Sequence, residues 1–225
     1  MISNDQSHLL SDKKKVDISD LIVITTLLLL VIGMQFIKPS EYNASFHDMR
    51  FNFPTVKRFL PVIFNYMLIL VLYPLFIFIA SKICIKAQIN HIKTLLSYGT
   101  VILLSYLVAL SLELFIGIPR PNTIHICGNI TYESCIKKMG KVQAKSQFLS
   151  FPSSEATVLS ASSYFITNIL DIIWNDSSLI SSIIKLFPFF YIFVNMAVLI
   201  VSAENSPIDV SLGTLIGIIV SKSII

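Results

Sequence analysis

Three short clusters of polar residues separate long apolar stretches of the chain, and they hold side chains suited to chemistry. The clusters span 113–121, 151–156 and 202–213. Arg120 can attract an anion, whereas Glu113 and Glu155 repel one. Two like charges about 5 Å apart repel by roughly 3 kcal/mol at an effective dielectric near 20. The clusters therefore combine an anion-binding cation with carboxylates that work against anion binding.

Six apolar segments carry these clusters. The chain has 225 residues, 54% hydrophobic and 13% charged, against about 25% charged in an ordinary soluble domain. A membrane span needs about 20 apolar residues and must be helical, because lipid offers its backbone no hydrogen-bond partner. The predicted spans are 20–37, 60–81, 95–117, 156–173, 183–201 and 207–220. The sequence thus predicts an all-α membrane protein, a six-span helical bundle.

The spans form one domain. Residues 1–19 form a polar N-terminal tail, and 20–225 form a single membrane domain. With six spans, all three clusters lie on the side opposite the N-terminus, called the far side below, where 118–155 forms a long loop. No cleavage site follows the first apolar segment, so we expect that span to be retained. The lysines do not form one basic face, so we expect no nucleic-acid partner.

The clusters resemble the three motifs of the type 2 phosphatidic acid phosphatase superfamily. These lipid phosphate phosphatases are related to vanadium haloperoxidases, and their motifs are K-x6-RP, PSGH and SR-x5-H-x3-D. The resemblance implies a phosphate site facing the outside or a lumen. In the family, the histidine of the third motif attacks phosphorus, and the aspartate of that motif orients this histidine. The histidine of the second motif protonates the leaving alcohol. A lysine and two arginines stabilise the phosphate oxygens. We expect neither a metal nor another cofactor.

The match to the first two motifs is partial. Arg120-Pro121 fits the end of the first motif, but Glu113 stands where the lysine belongs. The second motif begins correctly and ends with two replacements. Its residues are Pro152 and Ser153, which fit, then Ser154 in place of glycine and Glu155 in place of histidine. The resemblance leaves Arg120, Ser153 and Ser154 as the remnant of a phosphate site.

The third motif is altered further. Ser202 fits its start, and Ala203 replaces the arginine. Asp209 fits the final aspartate, which sets Asn205 at the position of the nucleophilic histidine. This alignment shortens the motif by four residues, so it predicts a contracted loop.

The histidines decide what the resemblance implies for catalysis. The chain has four: His8, His47, His91 and His125. None follows position 125, so neither family histidine can be present under any alignment. The resemblance therefore implies a catalytically inactive member of the family.

Some motif residues also have structural interpretations. Ser206 is a predicted N-cap of the last span, with Pro207 at the first helical position and Asp209 at the third. Ser153 is a predicted N-cap of the fourth span. Glu155 lies in the first turn of that span, where the helix dipole stabilises a negative charge.

Glu113 is costly within a span unless it has a partner. We predict an ion-pair cluster of Arg120 with Glu113 and Glu155. A divalent cation held by Glu113, Glu155 and Asp209 is the alternative, which the nearby Arg120 opposes.

Two features orient the chain. Lys and Arg divide eight to nine between the two sides, which does not decide the orientation. Glycosylation sequons at Asn43 and Asn129 lie in the far-side loops. Cys127 and Cys135 share the second of these loops and either pair in an oxidising lumen or stay unpaired. Together these features favour cytoplasmic termini in a secretory-pathway or plasma membrane.

The leading functional interpretation is an inactive family member that binds or senses a membrane lipid or acts through protein partners. The resemblance implies a phosphorylated lipid as one candidate. An active phosphatidate or lipid-phosphate phosphohydrolase with a rearranged site is the first alternative. A small channel or transporter is the second.

Overall fold

Helices make up the regular structure of the described residues. A computed structural model describes residues 18–40, 48–83, 90–174 and 178–225. The helices are α1 Ile18–Met34, α2 (Val62–Met67, a π-helical turn Leu68–Leu72 and Tyr73–Ile83), α3 His91–Ile116, α4 Thr123–Cys127, α5 Tyr132–Met139, α6 Lys141–Gln147, α7 Ser154–Ile173, α8 Leu179–Val201 and α9 Pro207–Ile224. A 3-10 turn, Met49–Phe51, precedes α2. Of the predicted features, residues 1–17 and the Asn43 sequon lie outside these ranges.

Five helices, α2, α3, α7, α8 and α9, are long and apolar enough to cross a membrane. The remaining apolar helix, α1, is shorter, at 17 residues. This arrangement confirms the predicted all-α membrane bundle. Helix α3 begins four residues before the predicted span because the Asn90 side chain caps it, accepting from the Ile92 and Lys93 amides.

Helix α7 is the centre of the bundle. About 61% of its most apolar window is buried, against 22–33% in the other long helices, and it packs against α3, α8 and α9. Two small residues of α9, Gly213 and Gly217, let it approach α7 closely. A Cβ atom added at Gly217 would overlap the Thr157 carbonyl oxygen and the Ser160 hydroxyl. The second and third motifs, which begin α7 and α9, are thereby held side by side.

Helix α2 contains a π-helical turn before a proline. Pro74 has no N–H group and cannot continue the regular hydrogen-bond ladder. The Tyr73 amide donates to the Leu68 carbonyl, five residues back, and the Ile69 carbonyl accepts from the Tyr98 hydroxyl of α3 at 2.8 Å. The turn thus joins α2 to α3 inside the membrane.

The far-side loop 118–155 is largely helical, containing α4, α5 and α6. A disulfide joins Cys127 at the end of α4 to Cys135 in α5. Both cysteines are buried with Tyr132, Ala144 and Phe148 in a small apolar cluster of their own. This packing holds the loop together above the ends of α3 and α7.

Candidate functional site

The three motifs meet at the far-side end of the bundle. The Ser153 amide donates to the Asp209 carbonyl at 3.0 Å, which joins the second motif to the third. The Ser154 amide donates to Glu113 Oε1 at 2.9 Å, which joins the second motif to the first. The start of α7 therefore brings the three motifs together.

An arginine outside the motifs is the main cation of this site. Arg58, just before α2, binds Glu155 through two hydrogen bonds of 3.0 Å from its two Nη atoms. It also binds both carboxylate oxygens of Glu204 through Nε and Nη2. The Arg58 side chain is only 12% exposed. One guanidinium group thus clamps carboxylates from α7 and from the α8–α9 loop.

Arg120 completes a four-residue ionic network, defined as Arg58, Arg120, Glu155 and Glu204. Its Nη1 atom donates to Glu204 Oε2 at 3.0 Å, so Glu204 bridges the two arginines. The Arg120 amide donates to the Gln147 carbonyl at 2.8 Å, which fixes this segment against the end of α6.

A buried asparagine of α2 supports the network. The Asn65 amide nitrogen donates to Glu155 Oε1, and its oxygen accepts from the Tyr191 hydroxyl of α8. Asn65 is 3% exposed. This chain of hydrogen bonds ties α2, α7 and α8 together beneath the ionic network.

The predicted ion-pair cluster is wrong in its membership. Arg120 pairs with Glu204, and Glu155 pairs with Arg58. Glu113 has no ion pair among the described residues, and its carboxylate binds the start of α7 instead. The predicted pairing of Glu113 with Arg120 fails because α3 ends at Ile116, and Gly117 adopts a left-handed conformation at φ 63°. Arg120 therefore does not continue the helical face of Glu113.

Asp209 is held in structural hydrogen bonds. Its Oδ2 accepts from the Ser206 amide at 2.8 Å and from the Ser150 hydroxyl at 2.7 Å. Ser206 and Asp209 form the predicted capping box, with Pro207 in the first turn. Asn205 donates to the Ser150 carbonyl at 2.8 Å. Both residues therefore hold the start of α9 against the end of the far-side loop.

The remaining predicted residues are backbone supports. The Ser153 hydroxyl caps α7, as predicted, accepting from the Ala156 amide. The Pro121 carbonyl accepts from the Phe53 amide at 2.9 Å. Ser202 is buried and donates to the Leu199 carbonyl at 3.2 Å. Ala203 adopts a left-handed conformation at φ 54°, and Pro152 follows a cis peptide bond. The described residues contain no group of three ligands able to hold a metal ion, so Glu113, Glu155 and Asp209 do not form the alternative cation site.

The network sets the ionisation of Arg58 and Glu204, which lie outside the spans. Burial raises the pKa of Glu204, but the hydrogen bond from Arg58 and the charges of Arg120 and Arg58 outweigh it and hold the pKa below its usual value. Burial lowers the pKa of Arg58, and the bonds to Glu204 and Glu155 more than compensate, raising it. Both groups are charged at neutral pH.

A cavity of about 440 Å³ opens beside the network. Its polar wall includes Arg58, Asn65, Glu113, Arg120, Glu155 and Glu204, and its apolar wall includes Val62, Ile69, Leu70, Ile102, Leu103 and Val158. The apolar residues come from α2, α3 and α7. The cavity therefore runs from the ionic network toward the apolar interior of the bundle.

One comparison with known proteins decides the family. The PAP2 superfamily model matches residues 94–225, which contain all three motifs, most of α3 and all of α4 to α9. The chain belongs to the PAP2 superfamily. No curated protein and no solved structure gives a significant match. The PAP2 match confirms the resemblance drawn from the motifs and excludes α1 and α2, so Arg58 and Asn65 lie outside it.

The fold favours a different register for the third PAP2 motif. A histidine and an aspartate four residues apart are neighbours on one face when both lie on a helix. Asn205 precedes the N-cap of α9, so the contracted alignment does not meet this condition. Counting SR-x5-H-x3-D from Ser202 without a gap places Asp209 at the histidine position and Gly213 at the aspartate position, both within α9. A longer side chain at Gly213 would meet the Ser153 carbonyl.

The described histidines lie away from this PAP2 site. His125 is exposed on α4, and His91 begins α3 at the opposite end from Glu113. Neither residue lines the cavity beside the network.

Sequence reasoning missed four residues of the site, Arg58, Asn65, Tyr191 and Glu204. Asn65 carried a signal, because an amide in an apolar span is expected to face the protein interior. Glu204 follows Ala203 directly, within the third motif. Arg58 belongs to no motif, and only the position of α2 brings it to the site.

Proposed function

We propose that this protein is a catalytically inactive PAP2 superfamily member that binds a membrane lipid without hydrolysing it. The carrying observation is that Arg58 and Arg120 are both engaged by Glu155 and Glu204. PAP2 membership implies lipid phosphates in a membrane as the ancestral class of substrate. In this chain, carboxylates take the partners that phosphate oxygens would require.

Electrostatics support the loss of phosphoryl transfer. A phosphate would have to displace Glu204 from both arginines. An ion pair at about 4 Å contributes roughly 4 kcal/mol at an effective dielectric near 20, and each 1.36 kcal/mol changes a rate tenfold. Glu113 and Glu155 would further repel the phosphate. Asp209 stands at the nucleophile position in the ungapped register, but two hydrogen bonds hold its Oδ2.

The cavity supports the lipid-binding part of the proposal. Contacts between α2 and α3 are concentrated in Tyr73–Ile83, and nearer the far side the cavity separates the two helices. Its volume of about 440 Å³ falls in the range of small-ligand sites. A charged wall above an apolar wall suits a headgroup followed by an acyl chain.

The proposal places the far side outside the cell or in a lumen, with cytoplasmic termini and a glycan on Asn129. The Cys127–Cys135 disulfide supports this, because disulfides persist in oxidising compartments. Asn129 lies between the two cysteines, partly exposed. Peptide-N-glycosidase treatment of the protein from a eukaryotic membrane tests the orientation. A change in the protein's gel mobility that Asn129→Gln abolishes supports a lumenal loop. Unchanged mobility in both the wild type and the Asn43→Gln variant argues against glycosylation.

Turnover by the purified protein tests the central part of the proposal. The protein is incubated in mixed micelles with phosphatidate, lysophosphatidate or sphingosine phosphate, and released phosphate is measured. We expect the wild type to match the Arg120→Ala variant at background. Phosphate release that Arg120→Ala abolishes would show an active, rearranged site and overturn the proposal.

A further inference from the structure

We infer that the cavity beside the ionic network binds a phospholipid whose headgroup carries an ammonium group, rather than a phosphomonoester. This rests on the proposed function and names the class of lipid.

The cavity wall has more negative than positive side chains. Arg58 and Arg120 face it from one side, and Glu113, Glu155 and Glu204 also line it. The two arginines are already bound by Glu155 and Glu204. Glu113 is thus the carboxylate whose charge the network does not neutralise. A phosphomonoester, with up to two negative charges, is repelled here, whereas an ammonium group is attracted.

Glu113 is placed to receive that ammonium group. It is 3% exposed, it lines the cavity, and within the described part of the chain no cation lies at ion-pair distance from it. Its carboxylate accepts a hydrogen bond from the Ser154 amide at 2.9 Å. A buried carboxylate in a membrane helix calls for a charge partner, and a bound ammonium would supply one.

Two tyrosines extend the cation site. Tyr66 of α2 and Tyr106 of α3 line the same cavity as Glu113. Tyr106 is two helical turns before Glu113, and side chains on a helix lean toward its N-terminus, so Glu113 leans toward Tyr106. Aromatic rings attract ammonium groups, quaternary ones included, through their electron-rich faces. Carboxylate and rings together form a surface suited to an amine.

The apolar part of the cavity accounts for the lipid. Ile69 and Leu70 of α2 face Ile102 and Leu103 of α3 along it. Ile102 lies eleven residues before Glu113, about 16 Å along the helix. An acyl chain can therefore lie between α2 and α3 while the headgroup remains beside Glu113. A zwitterionic phospholipid adds no net charge to this site.

Lipid retention measured by native mass spectrometry tests the inference. Purified protein is exchanged in detergent with phosphatidylcholine, phosphatidylethanolamine, phosphatidate and diacylglycerol of equal chain length, and with soluble phosphocholine. We expect the two amine-bearing phospholipids to be retained most strongly and phosphocholine not to bind. Glu113→Gln keeps the acceptor for Ser154 and should weaken retention about tenfold or more, since it removes a close charge pair.

Further variants keep the result interpretable. Tyr66 is 58% exposed, so Tyr66→Leu should fold normally and weaken retention about threefold. Glu133→Gln removes an exposed carboxylate of α5 and should change nothing. Equal retention by Glu113→Gln and wild type, or failure to retain any phospholipid, overturns the inference. Preferential retention of intact phosphatidate would overturn this inference alone. Hydrolysis of phosphatidate in the same sample would overturn the proposed function.

Discussion

Replacement of Arg58 by alanine should destabilise the whole bundle, although Arg58 lies outside the family match. Arg58 binds Glu155 and Glu204 from the segment before α2. Its side chain is 12% exposed, and those of the two glutamates are 22% and 19% exposed. Alanine leaves two poorly solvated carboxylates facing each other without the cation between them.

The magnitude follows from burial and from the partners that remain. Removing one partner of a fully buried ion pair costs roughly 3–5 kcal/mol. Here Glu204 keeps Arg120 and Glu155 keeps Asn65, and all the groups retain some contact with solvent. We therefore expect Arg58→Ala to lower the free energy of unfolding by about 2–3 kcal/mol. The double variant with Glu155→Gln should lose less than the sum of the two single variants.

Reversible unfolding by SDS in mixed micelles measures these free energies. Lys57→Ala is the matched control, since it removes a neighbouring charge from an exposed side chain and should change stability by no more than about 0.5 kcal/mol. If Arg58→Ala unfolds at the same SDS fraction as Lys57→Ala, the ionic network does not hold the helices together and the reasoning fails.

Three further predictions use the same unfolding assay. Because the network lowers the pKa of Glu204 in the folded protein, the contribution of this carboxylate to stability should be complete above the pKa of an unfolded glutamate and be lost as the pH falls through the lowered, folded pKa. An equally steep fall in Glu204→Gln would contradict this. Asn195 is buried, and neither its side-chain nitrogen nor its side-chain oxygen is hydrogen-bonded among the described residues. Asn195→Leu should therefore raise the free energy of unfolding by about 1–3 kcal/mol; a decrease in that free energy would show that the side chain has a partner. Gly217→Ala should cost about 1–3 kcal/mol because its Cβ meets α7. Gly99→Ala, where the nearest atom is 3.9 Å away, should cost nothing, and equal effects would refute the close packing.

Much of the fold follows from the sequence because lipid leaves few choices. Apolar segments of about 20 residues must be helices, and counting them places all three motifs on one side. The caps at Ser153 and Ser206 were predictable because capping depends on a few neighbouring residues.

The partners within the site were not predictable because they depend on tertiary geometry. The seven-residue spacing of Glu113 and Arg120 suggested a pair, but Gly117 ends α3 between them. Arg58 reaches Glu155 across 97 residues of sequence, and no local pattern signals that contact. The alignment of the third motif also depended on the structure, because Asn205 lies before α9 and Asp209 lies within it.

Binding of inorganic orthovanadate tests most directly whether the protein's own carboxylates fill the place of a phosphate. Vanadate can be titrated into the purified protein and followed by vanadium-51 NMR line broadening, with the Glu155→Gln/Glu204→Gln variant measured in parallel. We expect no saturable binding by the wild type up to about 10 mM, which corresponds to a binding free energy smaller in magnitude than about 3 kcal/mol. We expect measurable binding once both carboxylates are neutral. Saturable wild-type binding that Arg120→Ala abolishes would show an open phosphate cradle and contradict the account.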